Sequence, residues 1–325
     1  MVKHNLGFFS IISFFLGFLM IAGACSQRRN IVPNESDYSD ISVPLSPNED
    51  QYPDNLTFGE EKVPGFSLNI EMPSDSSEVY ISISRFIALE THNKIIEDLL
   101  EFIESQLDYY GFLKNPEKNL VNVYKELMDK GDSQQEAVQK IFDLMQKEFE
   151  NNLPEISYPG VAFNISFDIY PVYLDNTIVT YFLSAYSYTG GAHGNTTLKM
   201  KSYELKSGDE ITLEMIVRED AIPQVRDDVA AHMAYSYPIY DNIKTVDQYI
   251  DSLNSWLGNT SSADEVNTNH LITLNNFPLP QPALNDTGLV FIYPMYELTP
   301  GSDGCPVVVL SYAELKGCLN PQFTK

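Results

Sequence analysis

The chain has 325 residues, 43% of them hydrophobic and 12% aromatic, which is enough to bury one large core or two modest ones. Its formal net charge of −25 at pH 7 would repel phosphate backbones, so nucleic acid is excluded as the expected partner. The same charge would attract a cationic partner, although acidity also keeps a secreted protein soluble, and the composition leaves both interpretations open.

The first 24 residues have the pattern of a secretory leader. Lys3 and His4 precede an apolar run from Leu6 to Ala24, and the small residues Ala22-Gly23-Ala24 stand directly before Cys25. This pattern resembles a bacterial lipoprotein signal, so we expect residues 1–24 to be a signal peptide and Cys25 to be lipidated. The alternative is an uncleaved signal anchor, because the run is nearly long enough to cross a bilayer. With Cys25 acylated, only the lipid would hold the protein at a membrane.

Residues 25–64 are predicted to form an acidic, disordered tether. Asn, Ser, Asp, Glu and Pro dominate this stretch, and no basic residue occurs between Arg29 and Lys62. Sequence with so little apolar content cannot offset the entropy lost on ordering.

Residues 65–159 are predicted to form an N-terminal α+β subdomain. Branched and alternating apolar residues favour strands, and apolar residues at three-to-four spacing favour helices. The strands are expected at Phe66–Met72 and Val79–Ala88, and the helices at Lys94–Tyr110, Asn119–Asp129 and Ser133–Asn151. A boundary is expected at Pro154–Gly160, where proline and glycine interrupt the pattern.

Residues 160–325 are predicted to form a C-terminal α+β subdomain. Strands are expected at Val161–Val172, Ile178–Tyr188, Leu198–Leu205, Ile211–Val217, Leu271–Phe277, Leu289–Tyr293 and Val307–Leu310. Helices are expected at Ala221–Tyr235 and Thr245–Leu257, and a last one beginning at Ser311, which has capping-box spacing to Glu314. The predicted fold is therefore α+β, with antiparallel sheets, inserted helices and two intertwined or adjacent subdomains.

One glycine-rich turn stands out between two predicted strands. It reads Tyr186-Ser187-Tyr188-Thr189-Gly190-Gly191-Ala192-His193-Gly194, and a Ser207-Gly208-Asp209 turn and Ile211-Thr212-Leu213 follow it. This series resembles a family of bacterial extracellular domains without an assigned general function. The family forms the outer part of the lysozyme-sensing anti-sigma factor of the RsiV type and accompanies PdaC-type peptidoglycan deacetylases. A companion segment precedes it there, and Phe66–Pro159 is similar to that segment in order and character.

The resemblance covers roughly Val63–Leu319 and implies binding to a lysozyme-like basic protein or to a peptidoglycan-type glycan. The candidate ligand-binding residues are those of the glycine-rich turn: Tyr186, Tyr188, Gly190, Gly191 and His193. The anti-sigma factors carry a segment before their membrane helix, whereas only Met1–His4 precede the apolar run here. We therefore expect the extracytoplasmic module on its own.

The sequence predicts no catalytic residue, no metal site and no cofactor. The histidines beyond the leader are His92, His193, His232 and His270, and none has a Cys or His at zinc-ligand spacing. No G-x-S-x-G elbow or phosphate loop is present. His193 has two open interpretations: a structural group that stabilises its turn, or the general base of an envelope hydrolase.

Cys305 and Cys318 remain once Cys25 is assigned to the lipid. Outside the cytoplasm two such cysteines are a candidate disulfide, and the alternative is two buried thiols that pack as small hydrophobic groups.

Together these features predict a non-catalytic lipoprotein of the bacterial cell envelope that binds an extracytoplasmic ligand. Two other hypotheses stay open: an envelope hydrolase that uses His193, and a purely structural envelope component.

Overall fold

A computed structural model describes residues 55–58, 61–73, 79–109, 119–156, 163–188, 193–240, 243–260, 271–300 and 303–324. The predicted signal peptide, Cys25 and residues 26–54 of the predicted tether lie outside these residues. Residues 55–58 and 61–64 form strands, so the prediction of disorder is wrong for that end of the tether. The described strands are β1 Asn55–Phe58, β2 Glu61–Pro73, β3 Val79–Leu89, β4 Phe163–Leu174, β5 Ile178–Tyr188, β6 Asn195–Glu204, β7 Ala283–Leu284, β8 Gly288–Ile292 and β9 Val307–Ser311. The helices are α1 Asn93–Tyr109, α2 Leu120–Asp129, α3 Gln134–Ile156, α4 Leu213–Ile216, α5 Ile222–Ser236 and α6 Val246–Thr260.

The larger sheet has six strands in sequence order, β1-β2-β3-β4-β5-β6. Neighbouring strands are antiparallel except β3 and β4, which are parallel and are connected through α1, α2 and α3. Arg85 on β3 and Asp168 on β4 are register partners and form an ion pair of 3.0 Å between Nε and Oδ1. The α+β prediction is confirmed, with one parallel pair in an otherwise antiparallel sheet.

Helices α1, α2 and α3 bury their apolar stripes in the same hydrophobic cluster as β2–β6. On α1, Ile95, Ile96, Leu99, Leu100 and Ile103 are fully buried, and their three-to-four spacing aligns them on one face. The side chain of Asn119 accepts a hydrogen bond from the Asn122 amide at 2.6 Å, which caps α2 at its predicted start.

A second cluster is built from α5, α6 and the three-stranded sheet β7-β8-β9. It joins the larger sheet through a buried hydroxyl link made by Thr180, Ser202 and Leu284. The Thr180 hydroxyl lies 2.6 Å from both the Ser202 hydroxyl and the Leu284 carbonyl, and the Leu284 amide donates to Ser202 at 2.8 Å. The smaller sheet is thereby attached to the β5–β6 side of the larger one.

Three predicted elements are wrong. Ile211–Val217 contains the short helix α4 in place of a strand, because its buried residues Leu213, Ile216 and Val217 have helical spacing. Leu271–Phe277 contains a 3₁₀ turn, Leu274–Asn276, which a reciprocal Thr273–Asn276 capping box stabilises.

The predicted last helix is the third error. Its capping box does form, with Glu314 Oε2 2.8 Å from the Ser311 amide and 2.6 Å from the Ser311 hydroxyl. The chain nevertheless continues as turns, since Gly317 has a left-handed φ of 82° and the Cys318 amide bonds back three residues to Leu315.

The boundary predicted at residues 159/160 falls between two strands of a single sheet. β3 precedes it and β4 follows it, so the segments 65–159 and 160–325 share the six-stranded sheet. The buried hydrophobic residues divide at a later point, between Tyr203 and Ile211. Within the described ranges, no helix combines the length and the apolar character that a bilayer crossing requires.

Candidate functional site

The predicted ligand-binding turn connects β5 and β6, and its ends are described. Tyr186 and Tyr188 are half-buried near the end of β5, where Tyr186 pairs with Thr196 of β6. Gly190 and Gly191 lie outside the described residues. His193 is exposed two residues before β6 begins. The hairpin therefore places His193 and the two tyrosines at the same end of the sheet.

His193 is hydrogen-bonded through both ring nitrogens. Nδ1 lies 3.1 Å from the Gly194 carbonyl oxygen, and Nε2 lies 3.0 Å from the Tyr296 hydroxyl. Because a carbonyl oxygen only accepts, Nδ1 carries the proton and Nε2 accepts from Tyr296 when the ring is neutral. None of the described carboxylates bonds to this ring, so the His–carboxylate pairing of a hydrolytic triad is not formed among these residues.

Tyr296 is the second exposed aromatic residue of the site. Its side chain is 47% exposed, and its ring centroid lies 6.1 Å from that of His193. Its backbone has a φ of 67°, the left-handed conformation that is unfavourable for a residue with a Cβ. Backbone strain of this kind is concentrated at functional sites, where the surrounding structure holds it in place.

Gly194 is closely packed by its neighbour. A Cβ at this position would lie 2.4 Å from ring atoms of Tyr186, so a larger residue would displace that ring. The Tyr186 ring therefore covers the backbone directly after His193.

A groove runs along β6 from this point, and we call it the β6 groove. Its volume is about 470 Å³, within the range of ligand pockets. The lining residues come from β6, the loop before β7, β8 and the turn that carries Tyr296: Asn195, Thr196, Thr197, Leu198, Lys199, Met200, Lys201, Glu210, Pro280, Gln281, Val290, Ile292, Pro294, Met295 and Glu297.

The two walls of the β6 groove differ in chemistry. Lys199 and Lys201 are on the side that faces α1, where Lys201 Nζ lies 2.7 Å from Asp98 Oδ2 and 3.1 Å from Glu210 Oε2. Burial alone would lower the pKa of Lys201, but Asp98 and Glu210 outweigh it and raise this pKa above its usual value. On the opposite side, Met200 packs against the apolar cluster that includes Val290.

Glu297 is the acidic group of that opposite wall. Partial burial raises the pKa of its carboxyl above the ordinary value. No described Lys, Arg or His forms an ion pair with it, so its charge is available to a ligand.

The predicted Cys305–Cys318 disulfide is not formed in the structure, where both residues are thiols. Cys305 lies beside β6, with Sγ 3.3 Å from the Thr196 carbonyl oxygen, and burial raises the pKa of its thiol. Cys318 is buried in the second cluster, next to the Val217–Leu319 bridge. The five-residue strand β9 leads away from Cys305. A helix after β9 was expected to return towards Cys305, but turns take its place, so Cys318 is not brought back to Cys305.

The sequence pointed to the His193 turn but gave no indication of Tyr296 or Glu297, and it marked Cys305 only as a candidate disulfide partner of Cys318. These residues are about 100 positions away along the chain, and only the pairing of β8 and β9 beside β6 brings them there. A local signal existed in Pro294-Met295-Tyr296-Glu297, since proline is typical of turns. Among the described residues, no group of three His, Cys, Asp or Glu side chains is arranged to hold a metal ion.

Comparison with known proteins finds that one part of the chain is similar to a family model. Residues 227–313 match the model of DUF3298, described as a protein of unknown function. The DUF3298 match runs from within α5 to just beyond β9, so it includes Tyr296 and Glu297 but neither His193 nor β6. None of the curated proteins matches the chain.

Two solved structures from the DUF3298 family are similar to the chain. One, from Bacteroides fragilis NCTC 9343, is 15% identical with a TM-score of 0.46, over 79% of this chain and 92% of that one. The other, from Pseudomonas aeruginosa PAO1, is 14% identical with a TM-score of 0.45, over 81% of this chain and 97% of that one.

Proposed function

We propose that this protein is a non-catalytic lipoprotein of the bacterial cell envelope that binds a basic protein of the lysozyme type. Cys25 would carry the lipid, and residues 26–54 would hold the folded part away from the membrane. The ligand would contact the protein at the mouth of the β6 groove, where His193 and Tyr296 are exposed.

The observation that carries this proposal is the hydrogen-bonded pair of exposed aromatic rings at an open groove. Tyrosine offers a large, rigid contact area at low entropic cost, which makes it effective in protein recognition. Holding Tyr296 through His193 Nε2 orders that ring before a ligand arrives, and preorganisation reduces the entropy lost on binding.

Charge supports a basic partner. The formal net charge of −25 attracts cationic proteins over several ångströms, and the Glu297 carboxyl, which forms no ion pair with a described residue, adds a local anion next to Tyr296 in the chain. The resemblance of the glycine-rich turn to the lysozyme-sensing domains supports the same partner.

The decisive experiment measures binding of the full chain without its leader to lysozyme, at low salt and at about 0.3 M salt. We expect binding that weakens as salt rises, and no binding of succinylated lysozyme, whose charge is inverted. Tyr296→Ala should weaken binding by about tenfold or more, as expected for an aromatic hot spot. Tyr240→Ala is the matched control, because Tyr240 is also exposed but is not flanked by groove-lining residues as Tyr296 is by Met295 and Glu297. Absence of lysozyme binding at both salt concentrations would refute the basic-protein proposal.

A peptidoglycan-type glycan is the second candidate ligand, which the amide and hydroxyl groups of Asn195 and Thr196 in the groove lining favour. Chitooligosaccharides that shift the thermal unfolding of the chain without dependence on salt would support it over the basic protein.

The hydrolase hypothesis has its own test in His193→Ala. A hydrolase would lose turnover of cell-wall fragments in this variant while keeping its thermal stability. We expect no turnover by the wild-type chain either, because Nε2 of His193 is occupied by a hydroxyl and no described carboxylate orients the ring.

A further inference from the structure

β6 is the terminal strand of the six-stranded sheet, and its outer edge opens into the β6 groove. The Ser202 carbonyl faces away from β5, since it accepts a hydrogen bond of 2.7 Å from the Ile211 amide. Backbone groups alternate between the two edges of an antiparallel strand, so the amides and carbonyls of Met200, Leu198 and Thr196 face the same way. The groove is therefore lined by backbone donors and acceptors as well as by side chains.

Both ends of this edge are occupied within the protein. Near the end of β6, the Glu204 amide bonds to the Asp209 carbonyl at 2.9 Å. Near its start, the Cys305 thiol lies against the Thr196 carbonyl and the Leu198 backbone. Between these points, the amide and carbonyl of Met200 and the carbonyl of Leu198 have no backbone partner among the described residues. An unpaired row of this kind is a template for another strand.

The side chains of the groove indicate the charge of such a strand. A peptide paired with β6 would direct alternate side chains to the two walls. On the α1 wall, Lys201 is already paired with Asp98 and Glu210. On the other wall, apolar Val290 and Ile292 lead to the unpaired carboxyl of Glu297. A cationic side chain is therefore complementary to Glu297 and to the net charge of −25.

We propose that the outer edge of β6 at Leu198 and Met200 takes up an extended cationic peptide segment as an added strand. This inference rests on the proposed function and names how the basic ligand is held: main-chain hydrogen bonds supply affinity, and alternate side chains supply selection. The groove along β6 from Asn195 to Lys201 spans about 20 Å, which accommodates a segment of about six residues, and the residues opposite Leu198 and Met200 would bond to the edge.

Lys199 and Lys201 on the edge strand have a simpler explanation than ligand binding, because lysine on an edge strand discourages aggregation. Lys199 and Lys201 are confined to the α1 wall, however, and Lys201 is neutralised by two carboxylates. The apolar wall and the unpaired backbone groups can therefore bind a positively charged strand, whose charge is opposite to the net charge of the chain.

The test uses peptides of about eight residues that alternate lysine and valine, with both ends blocked. In an extended peptide, the N–H groups of the lysines point to one edge and those of the valines to the other. Two N-methylated versions are therefore made, one methylated at the lysines and the other at the valines, so that each version lacks the N–H groups of one edge only. We expect one version to bind about tenfold or more weakly and the other to bind like the parent, since only one edge of the peptide faces β6. Equal affinities of the two versions, or equal losses, would overturn strand addition.

Protein variants test the same contact from the other side. Met200→Pro removes an outward amide without touching a hydrogen bond to β5, and Met200→Leu is the control that keeps the amide and the side-chain volume. Proline should reduce peptide binding by about tenfold while leucine leaves it unchanged. If Met200→Pro does not fold, the N-methylated peptides on the wild-type chain decide the question. Glu297→Gln should weaken binding of the lysine–valine peptide several-fold and leave binding of a threonine–valine peptide unchanged. Equal effects on the two peptides would overturn the preference for a cationic segment.

Lysozyme binding is measured in parallel so that the two proposals fail separately. Lysozyme binding without binding of the parent peptide would leave the proposed function standing and overturn strand addition. Peptide binding without lysozyme binding would refute the basic-protein partner and retain the strand site. A third outcome is that the chain forms a dimer, that Met200→Pro makes it monomeric, and that the peptide does not compete with dimerisation. This result would overturn the peptide proposal, because a second copy of the chain would then occupy the edge of β6.

Discussion

Replacing Ser202 by alanine tests whether the buried hydroxyl link holds the two clusters together. The link closes in one direction: the Leu284 amide donates to Ser202, Ser202 donates to Thr180, and Thr180 donates to the Leu284 carbonyl. Thr180 and Ser202 are fully buried, so water cannot replace a lost partner. Ser202→Ala leaves the Leu284 amide unsatisfied, which costs about 1–3 kcal/mol in the free energy of unfolding.

The assay is urea unfolding at pH 7, followed by circular dichroism and by the fluorescence of Trp256. Trp256 is the single tryptophan of the chain and packs against the second cluster, so its signal reports on that cluster alone. We expect Ser202→Ala to lower the unfolding midpoint and to move the Trp256 transition ahead of the circular-dichroism transition, because the two clusters lose a link.

Ser105→Ala is the matched control, since Ser105 is exposed on α1 and bonds only to the carbonyl of Phe102. It should change the free energy of unfolding by less than about 0.5 kcal/mol. If Ser202→Ala also stays within that limit, the reasoning about the buried amide is refuted.

Three further predictions concern pH, packing and the cysteines. Burial alone would raise the pKa of Glu314, but hydrogen bonds from His232 and Ser311 outweigh it and hold this pKa below its ordinary value of 4.5. The carboxylate therefore contributes stability that is present above pH 4.5 and is lost as pH falls through the lower folded-state pKa. The thermal unfolding temperature, measured against pH, should show this loss, and Glu314→Gln should make the temperature less dependent on pH in that range. Gly288→Ala should destabilise the chain by about 1–3 kcal/mol in urea unfolding, because the added Cβ would lie 1.9 Å from the Leu310 carbonyl oxygen; an unchanged midpoint would contradict this. Alkylation of the leader-less chain with Cys25→Ser, unfolded without reductant, should add two labels by mass spectrometry, whereas no label would mean that Cys305 and Cys318 are bridged.

Much of the fold could be predicted from local sequence. The alternation in β4 and the apolar stripe of α1 are both periodic signals, and the structure has these elements within a few residues of their expected bounds. Ile211–Val217 shows where that reasoning fails. Its branched residues favour a strand, but the buried positions Leu213, Ile216 and Val217 are set by the second cluster, which only tertiary packing reveals.

The candidate site was predictable only in part for the same reason. The glycine-rich turn marked His193, because glycines and a lone histidine are visible in the sequence. Tyr296 and Glu297 reach the site through the β8–β9 pairing, and the open edge of β6 depends on which strand ends the sheet. The order of strands in a sheet depends on contacts between residues far apart in the chain, so it cannot be predicted from a short segment of sequence.

The parallel pairing of β3 with β4 has a consequence for biogenesis. As the chain leaves the ribosome or a translocation channel, β3 emerges more than 70 residues before the strand that completes its hydrogen bonding. Three helices must therefore fold back before the middle of the sheet can close. A fragment that stops at residue 160 would leave this central strand as an unpaired edge, so we expect such fragments to aggregate.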